Sequence, residues 1–459
     1  MTFRSAICRC LCTLGLLAFA FPAIAPGQTP AREQLLNGLS VMSWQRPGDA
    51  NVFLKLRLNS GAAFDLAGKA GTMALLADAL FPDPATREYV TGELGGRLEV
   101  STNYDAIEVT ISGKASALER MIEILRNAIL TLNLSAENVA KLREARRDQV
   151  SKGSASPALI ADRAVAARLF GTFPYGHPTE GDSESLAKVE RADLMLAQER
   201  FLHSDNADLV VIGGFEPPRL MRALRQLLGP WQKGDRLVAA TFRQPNAPDD
   251  RLLLVNMAGI SNAEIRLAVR GLSRSDRDAV AASLLARIVR ERWQAAVPEL
   301  ASVSVRHEAH ALPGMFVFAA SVSEGSAVKA LAAADDVMKS LTQTGPNAPE
   351  LDRARAAMQS EVSSRPQLDS LADAWLDSET YKISSTIDAA KELTRISVAD
   401  IQRVAARLFK DAARVEVVVA DAAQLNSGLG GKIEIRNYQP DVTPASVPPK
   451  SPAKSPTRP

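Results

Sequence analysis

Cysteine is missing from almost the whole chain. The 459 residues include three cysteines, Cys8, Cys10 and Cys12, all close to the N-terminus. Disulfide bonds, thiolate nucleophiles and cysteine-bound metals are therefore excluded beyond that segment. With 46% hydrophobic and 23% charged residues, the composition is that of a globular protein. We expect the apolar core alone to stabilise it.

An excess of charge of one sign is also missing. Lys and Arg total 54, and Asp and Glu total 52. Removal of an N-terminal segment that contains Arg4 and Arg9 would make the numbers of basic and acidic residues equal. This balance gives no reason to expect binding to nucleic acid or attraction to a membrane surface. Phosphate loops are not indicated, since "GELGG" and "GLGGK" lack the Lys-Ser/Thr ending, and no G-x-S-x-G motif supports a serine nucleophile.

Residues 1–25 have the pattern of a secretory signal peptide. Arg4 and Arg9 carry positive charge, "LCTLGLLAFAF" is a short apolar run, and "AIA" ends the segment with small residues. The run is shorter than the roughly 20 residues that a membrane-spanning helix needs. We therefore expect an exported protein, periplasmic or secreted, without a stable membrane span.

The remaining chain consists of two similar halves. In the first, the alternating segment "NVFLKLRLNSG" precedes the helical pattern "AGTMALLADAL"; in the second, "AEIRLAVRGLS" precedes "DRDAVAASLLARIVRERW". A strand pair, two helices, and a final helix with a buried strand follow in the same order in both halves. This repetition predicts two homologous α+β domains.

We place the N-terminal domain at residues 30–230 and the C-terminal domain at 251–425. Residues 231–250 are polar and contain proline, which predicts a surface linker. Residues 440–459 are rich in Pro, Ser and Lys and lack the apolar residues that a folded segment would bury, which predicts a disordered tail.

Two equivalent charged helices have recognisable N-terminal signals. Ser135 precedes "AENVAKLREARRDQV" and Asn347 precedes "APELDRARAAMQSEV". Both residue types are favoured N-caps, and Glu350 stands three positions after Asn347, as in a capping box. We expect a helix to begin at each of these positions.

The order of several motifs resembles that of the insulinase/pitrilysin family of zinc peptidases, which includes the mitochondrial processing peptidases. The motifs are "AGTMALLADALF", "GELGGRLEV", "FPYGHPTEG" and "DNADLVVIGGF", in that order. The resemblance covers roughly residues 30–425. It implies an α+β fold in which each of two homologous domains is a mainly antiparallel sheet packed with helices.

The family's zinc motif is degenerate in this sequence. Active members carry His-x-x-Glu-His on one helix, where the histidines bind zinc and the glutamate is the general base. Aligned on Gly71 and Phe81, these positions hold Ala74, Ala77 and Asp78. Alanine has no lone pair to bind a metal or accept a proton, and catalytic zinc requires three protein ligands. We therefore expect no bound metal, no cofactor and no catalysis.

Other candidate ligands do not restore the motif. The family's third ligand is a glutamate on the later charged helix, where Asp148 and Gln149 are nearest to the expected place. The segment "RHEAH" contains His307 and His310, but it has a strand pattern, and side chains three apart on a strand point to opposite faces. A metal shared by these two histidines is therefore not expected.

The resemblance also identifies candidate peptide contacts. Active members have an Asn-Ala pair on the strand to which the substrate adds, and the aligned residues here are Glu99 and Val100. Thr102, nearby, matches the family. Arg292 could correspond to a substrate-holding arginine of the second domain, although a solvated helix face is the simpler interpretation of a lone arginine.

Three hypotheses for the function remain. The preferred one is a catalytically inactive homologue that forms a heterodimer with a zinc-bearing family member and contributes to a chamber that encloses peptides. In the family's two-chain members four such domains close the chamber, and this chain has two. The alternatives are a stand-alone protein that binds peptides at a strand edge, and an active zinc endopeptidase with a relocated site around His307 and His310.

Overall fold

The protein contains two six-stranded sheets, each packed with helices. The computed structural model describes residues 29–153, 155–235, 242–243, 245–364, 367–383, 392–423 and 432–439. The predicted signal peptide (1–25), the predicted tail (440–459) and part of the predicted linker lie outside the described residues.

The first sheet has the order β1-β2-β6-β3-β5-β4. Only the pairing of β2 with β6 is parallel. Its strands are β1 (Ala31–Gln34), β2 (Ser40–Gln45), β3 (Asn51–Leu58), β4 (Arg97–Thr102), β5 (Ile107–Lys114) and β6 (Ala207–Gly213). The helices of this half are α1 (Thr72–Leu80), α2 (Pro84–Gly92), α3 (Leu118–Leu130), α4 (Ala136–Gly153), α5 (Pro157–Phe170), α6 (Ser183–Ala187), α7 (Arg191–Phe201) and α8 (Pro217–Leu227).

The second sheet has the order β12-β7-β11-β8-β10-β9. Its strands are β7 (Leu252–Asn256), β8 (Asn262–Arg270), β9 (Ala301–Glu308), β10 (Met315–Ser323), β11 (Arg414–Ala420) and β12 (Ile433–Asn437). The described helices of this half are α9 (Ala279–Ala296), α10 (Ala327–Gln343), α11 (Ala348–Ser364), α12 (Gln367–Tyr381) and α13 (Val398–Phe409). Five strands repeat the order of the first sheet, so the predicted pair of homologous α+β domains is confirmed.

Strand β3 shows how the alternating pattern serves a sheet that is covered on both sides. Val52, Leu54 and Leu56 point towards the helices of their own half and are each 1% exposed. Lys55 and Arg57 alternate with the leucines of this strand and point to the opposite face, as successive side chains of a strand must. That face is also covered, because both cations are buried.

The covering layer on this second face comes from the other half of the chain. Helix α12 of the second half packs on β3 and β6 of the first sheet, and α5 of the first half packs on β8 and β11 of the second sheet. The two halves thus exchange one helix each. This arrangement was not predicted from the sequence.

Two predicted boundaries need correction. Trp231, placed at the start of the linker, is buried, and its indole N–H donates to the carbonyl of Leu202 at 3.0 Å. The first domain therefore includes this residue. At the other end, β12 pairs with β7 beyond residue 425, so the second sheet extends past the predicted end of its domain.

Candidate functional site

Helix α1 is a buried helix whose beginning is fixed by two residues. Gly71 has a φ of 92°, and a side chain there would meet the Leu186 side chain at 2.7 Å. Asp65 accepts hydrogen bonds from the backbone N–H groups of Gly71 (2.7 Å) and Met73 (2.8 Å). Burial raises the pKa of Asp65 to about 7, against the opposing effect of these two hydrogen bonds. All α1 residues except Asp78 are buried.

The three residues aligned with the zinc motif are engaged in interior packing or in an ion pair. Ala74 and Ala77 are 1% and 2% exposed and pack in the interior. Asp78 pairs with Arg146 of α4 through two hydrogen bonds, Nε to Oδ2 at 2.6 Å and Nη2 to Oδ1 at 2.7 Å. Such a bidentate pair uses both carboxylate oxygens. Asp78 therefore links α1 to α4 directly.

Arg146 is also the α4 residue that faces this position. Asp148 and Gln149, the predicted candidates, are exposed, and Asp148 lies 3.7 Å from Lys152 on the same helix. Asp78 pairs with Arg146 instead. Among the residues that the structure describes, no three His, Cys, Asp or Glu side chains form a group that could hold a metal ion.

Strand β4 carries the predicted peptide contacts at one edge of the first sheet. It pairs with β5, with Glu99 opposite Thr110 and Thr102 opposite Ile107, and its other edge has no strand partner among the described residues. Glu99 is exposed and Thr102 is half-buried. An unpaired strand edge of this kind can accept an extended peptide.

Comparisons with known proteins agree with this architecture. Residues 188–358 match the family described as Peptidase M16 inactive domain. An uncharacterized zinc protease of Mycobacterium bovis is 24% identical over 230 residues, which cover 49% of this chain and 51% of the relative. The match thus spans about half the length of that relative.

Solved structures extend the likeness over most of the chain. A protease from Helicobacter pylori superimposes with a TM-score of 0.78 and 17% identity, covering 85% of this chain and 100% of that one. Residues 188–358 therefore carry the sequence pattern of the M16 family, and the two-domain fold is the one seen in M16 peptidase structures. The first half of the periplasmic protease PqqL from Escherichia coli has a TM-score of 0.69 and 15% identity, covering 86% of this chain and 92% of that one.

The family match does not include α1. The matched residues begin at 188, so they contain neither Ala74 nor Asp78. The correspondence of these positions to the M16 zinc motif stays a prediction, and it agrees with their location on a helix that follows β3.

Arg292 lies on α9, and it is not on a solvated helix face. Its guanidinium pairs with both carboxylate oxygens of Glu350 (2.8 and 2.9 Å) and donates to Ser340 Oγ (2.9 Å) and to the carbonyl of Gly345 (3.0 Å). These contacts link α9 to α10 and α11. The structure therefore gives Arg292 a structural role within the second domain.

The two histidines of "RHEAH" do not share a site. His307 lies on β9, where its Nε2 accepts a hydrogen bond from the backbone N–H of Leu272 at 3.0 Å, and burial lowers its pKa to about 4. His310 lies beyond the strand, between the rings of Tyr104 and Tyr175, whose centroids are 4.9 and 4.7 Å away. The geometry gives no support to a relocated zinc site here.

In the part of the chain that the structure describes, no helix combines the length and the apolar composition needed to cross a membrane.

Proposed function

We propose that this M16 chain is an exported, non-catalytic homologue that pairs with a zinc-bearing family member and contributes two domains to a chamber that encloses peptides. The Asp78–Arg146 pair is the observation that supports the proposal most directly. It fills the space between α1 and α4 with a salt bridge, and the buried methyl groups of Ala74 and Ala77 offer no electron pair to a metal.

Pairing is supported by the likeness to one part of a longer protease. The chain covers 92% of the structure that represents the first half of PqqL. A two-domain unit of this kind therefore occurs as part of a longer protease. We infer that the present chain takes a second such unit from a zinc-bearing homologue.

Export is proposed from the signal-peptide pattern of residues 1–25. PqqL, which shares the fold, is described as periplasmic. A periplasmic or secreted location agrees with a chain that has no cysteine after Cys12.

The test is to purify the exported chain alone and then with a zinc-bearing M16 homologue of the same organism. Zinc content is measured by atomic absorption, and cleavage is followed with fluorogenic peptides. We expect no stoichiometric zinc and no cleavage from the chain alone, and a tenfold or greater rise in the homologue's activity on mixing. Stoichiometric zinc with chelator-sensitive cleavage by the chain alone would refute the proposal.

A matched pair of variants tests the peptide edge. Glu99→Lys reverses an exposed charge on β4, and Glu33→Lys reverses an exposed charge on β1 at the opposite edge of the same sheet. We expect the first to change the peptide preference of the mixed enzyme and the second to leave it unchanged. Equal effects of the two variants would argue against peptide contact at β4.

Stand-alone peptide binding is the second candidate, and the unpaired edge of β4 is the observation that favours it. Binding of extended peptides by the isolated chain, at an affinity that the homologue does not alter, would support this candidate over the heterodimer.

A further inference from the structure

The two exchanged helices are attached to their sheets by different kinds of contact. We propose that α12 is a releasable helix, which leaves the first sheet while α5 stays on the second sheet. The contact between the two domains then opens at the first sheet and stays closed at the second. This proposal does not depend on whether the chain binds a partner.

Helix α5 is attached by an extensive apolar contact. Its buried residues pack on valines and other small apolar residues of β7, β8, β10 and β11. On the helix they are Ile160, Ala161, Ala164, Val165, Leu169 and Phe170, and on the sheet they are Leu253, Val255, Ala268, Val317, Val415, Val417 and Val419. Burial of apolar surface contributes about 25 cal/mol per Å², so this contact strongly favours the docked helix.

Helix α12 has a smaller apolar contact. Leu371, Ala372, Trp375 and Leu376 pack on a patch of the first sheet that consists of Met42, Phe53, Val210 and Ile212. Trp375 also meets the edge of Trp44, with ring centroids 6.5 Å apart. Leu368 of α12 is half-buried and packs against the same patch. The helix also makes a set of polar contacts with the sheet.

The polar part of the contact is a row of acidic residues on the helix opposite a row of cations on the sheet. Asp369 pairs with Arg97, Asp373 pairs with Lys55, and Asp377 pairs with Arg57 at 2.8 Å. The acidic residues are four positions apart and therefore share one helix face. Near the end of the helix, Glu379 pairs with Arg32 of β1.

These ion pairs hold α12 in register but add little net attraction. Removing two charges from water costs about as much as their mutual attraction returns, so a buried ion pair is weak support for stability. Apolar burial has no such opposing cost. For the same buried area, the contact of α12 with its sheet therefore stabilises the docked helix less than the contact of α5 does.

The most deeply buried charges on both sides, those of Lys55, Arg57 and Asp377, keep partners when α12 leaves. Glu108 of β5 lies 3.0 Å from Lys55 and 2.7 Å from Arg57, so both sheet cations stay paired. Asp377 pairs with Arg274, which belongs to the same half as α12 and would move with it. Release therefore leaves no isolated buried charge, which is the costly outcome of breaking a buried pair.

Single thiols test the proposal, because the native cysteines all lie within residues 8–12. In a full chain with these three cysteines replaced by serine, Ala372→Cys places a thiol under α12 and Ala161→Cys places one under α5. Both alanines are 0% exposed, so the two variants are matched. The rate of reaction with a disulfide reagent then reports how often each helix opens.

We expect the Ala372→Cys thiol to react at least tenfold faster than the Ala161→Cys thiol under native conditions. Adding Asp377→Asn should increase the first rate at least threefold and leave the second unchanged. Equal rates for the two thiols would mean that both helices open only with the whole protein, and a faster Ala161→Cys thiol would reverse the assignment. Either result overturns the proposal.

Hydrogen exchange of the chain with its native cysteines provides a check that needs no substitution. Amides of α12 should exchange at least tenfold faster than those of α5. Exchange of both helices at one common rate would contradict a releasable α12.

Discussion

The two halves of the molecule link equivalent helices with ion pairs of opposite polarity. In the first half, the acid is on α1 and the base on α4, as Asp78 and Arg146. In the second half, the base is on α9 and the acid on α11, as Arg292 and Glu350. Zinc-dependent relatives are expected to link the first pair of helices through a metal. In this chain the contact between α1 and α4 combines the salt bridge with an apolar cluster that contains Leu75 and Ala79 of α1 and Val139 and Val150 of α4.

Of the substitutions that test this difference between the halves, Arg292→Ala should lower the free energy of unfolding most. The substitution leaves Glu350 without its partner and removes the donors to Ser340 and Gly345. We expect the free energy of unfolding to fall by about 2–3 kcal/mol, as for the loss of one partner from a largely buried charged network. The change in the free energy of unfolding is measured by urea denaturation. Arg290→Ala on the same helix is the control, and an equal loss there would contradict the role of Arg292.

A smaller effect is expected from Asp78→Ala in the first half. The Asp78 and Arg146 side chains are 32% and 15% exposed, so solvent weakens the pair. We expect a loss of about 1–2 kcal/mol. In a double-mutant cycle with Arg146→Ala, the double variant should lose less than the sum of the single losses. Additive losses would show that the two residues do not interact.

Acid should weaken the link in the second half. The hydrogen bond from Arg292 lowers the pKa of Glu350 from its usual 4.5. A carboxyl group whose pKa is lowered in the folded state stabilises the protein above its unfolded pKa, and this contribution is lost as the pH falls through the folded value. The stability difference between the native chain and Glu350→Gln, about 1 kcal/mol at pH 7, should therefore shrink below pH 4.5. A difference that does not change with pH would contradict this origin.

The smallest effect should come from Asp148→Ala on α4. Asp148 and Lys152 are 79% and 80% exposed, and exposed ion pairs contribute little. We expect a change below about 0.5 kcal/mol in thermal or urea unfolding. A loss as large as that of Asp78→Ala would mean that Asp148, and not Arg146, is the important α4 residue.

Local signals were predicted well from the sequence. The capping box was confirmed, because the Glu350 N–H donates to Asn347 Oδ1 at 2.9 Å and the Asn347 N–H donates to Glu350 Oε2 at 2.7 Å. Ser135 Oγ accepts from the Asn138 N–H at 3.2 Å, as an N-cap should. These contacts join residues three positions apart, so residue type and spacing determine them.

Contacts between distant segments were not predicted. The residue that faces Asp78 is 68 positions away, and the register of α4 could not be determined from its largely polar sequence. Arg57 lies at a polar position of an alternating segment, and its partner Asp377 is 320 positions later in the chain. Helix periodicity identifies the buried face of a helix, but it does not identify the sheet that the face packs against.

The exchange of α5 and α12 has a consequence for how such a chain can change over time. Either half produced by itself would expose the face that its neighbour's helix normally covers, so shortening the chain to one repeat would give an insoluble product. Point substitutions in α1 carry no such penalty. A protein built this way therefore changes more readily by exchange of a few side chains than by loss of one repeat.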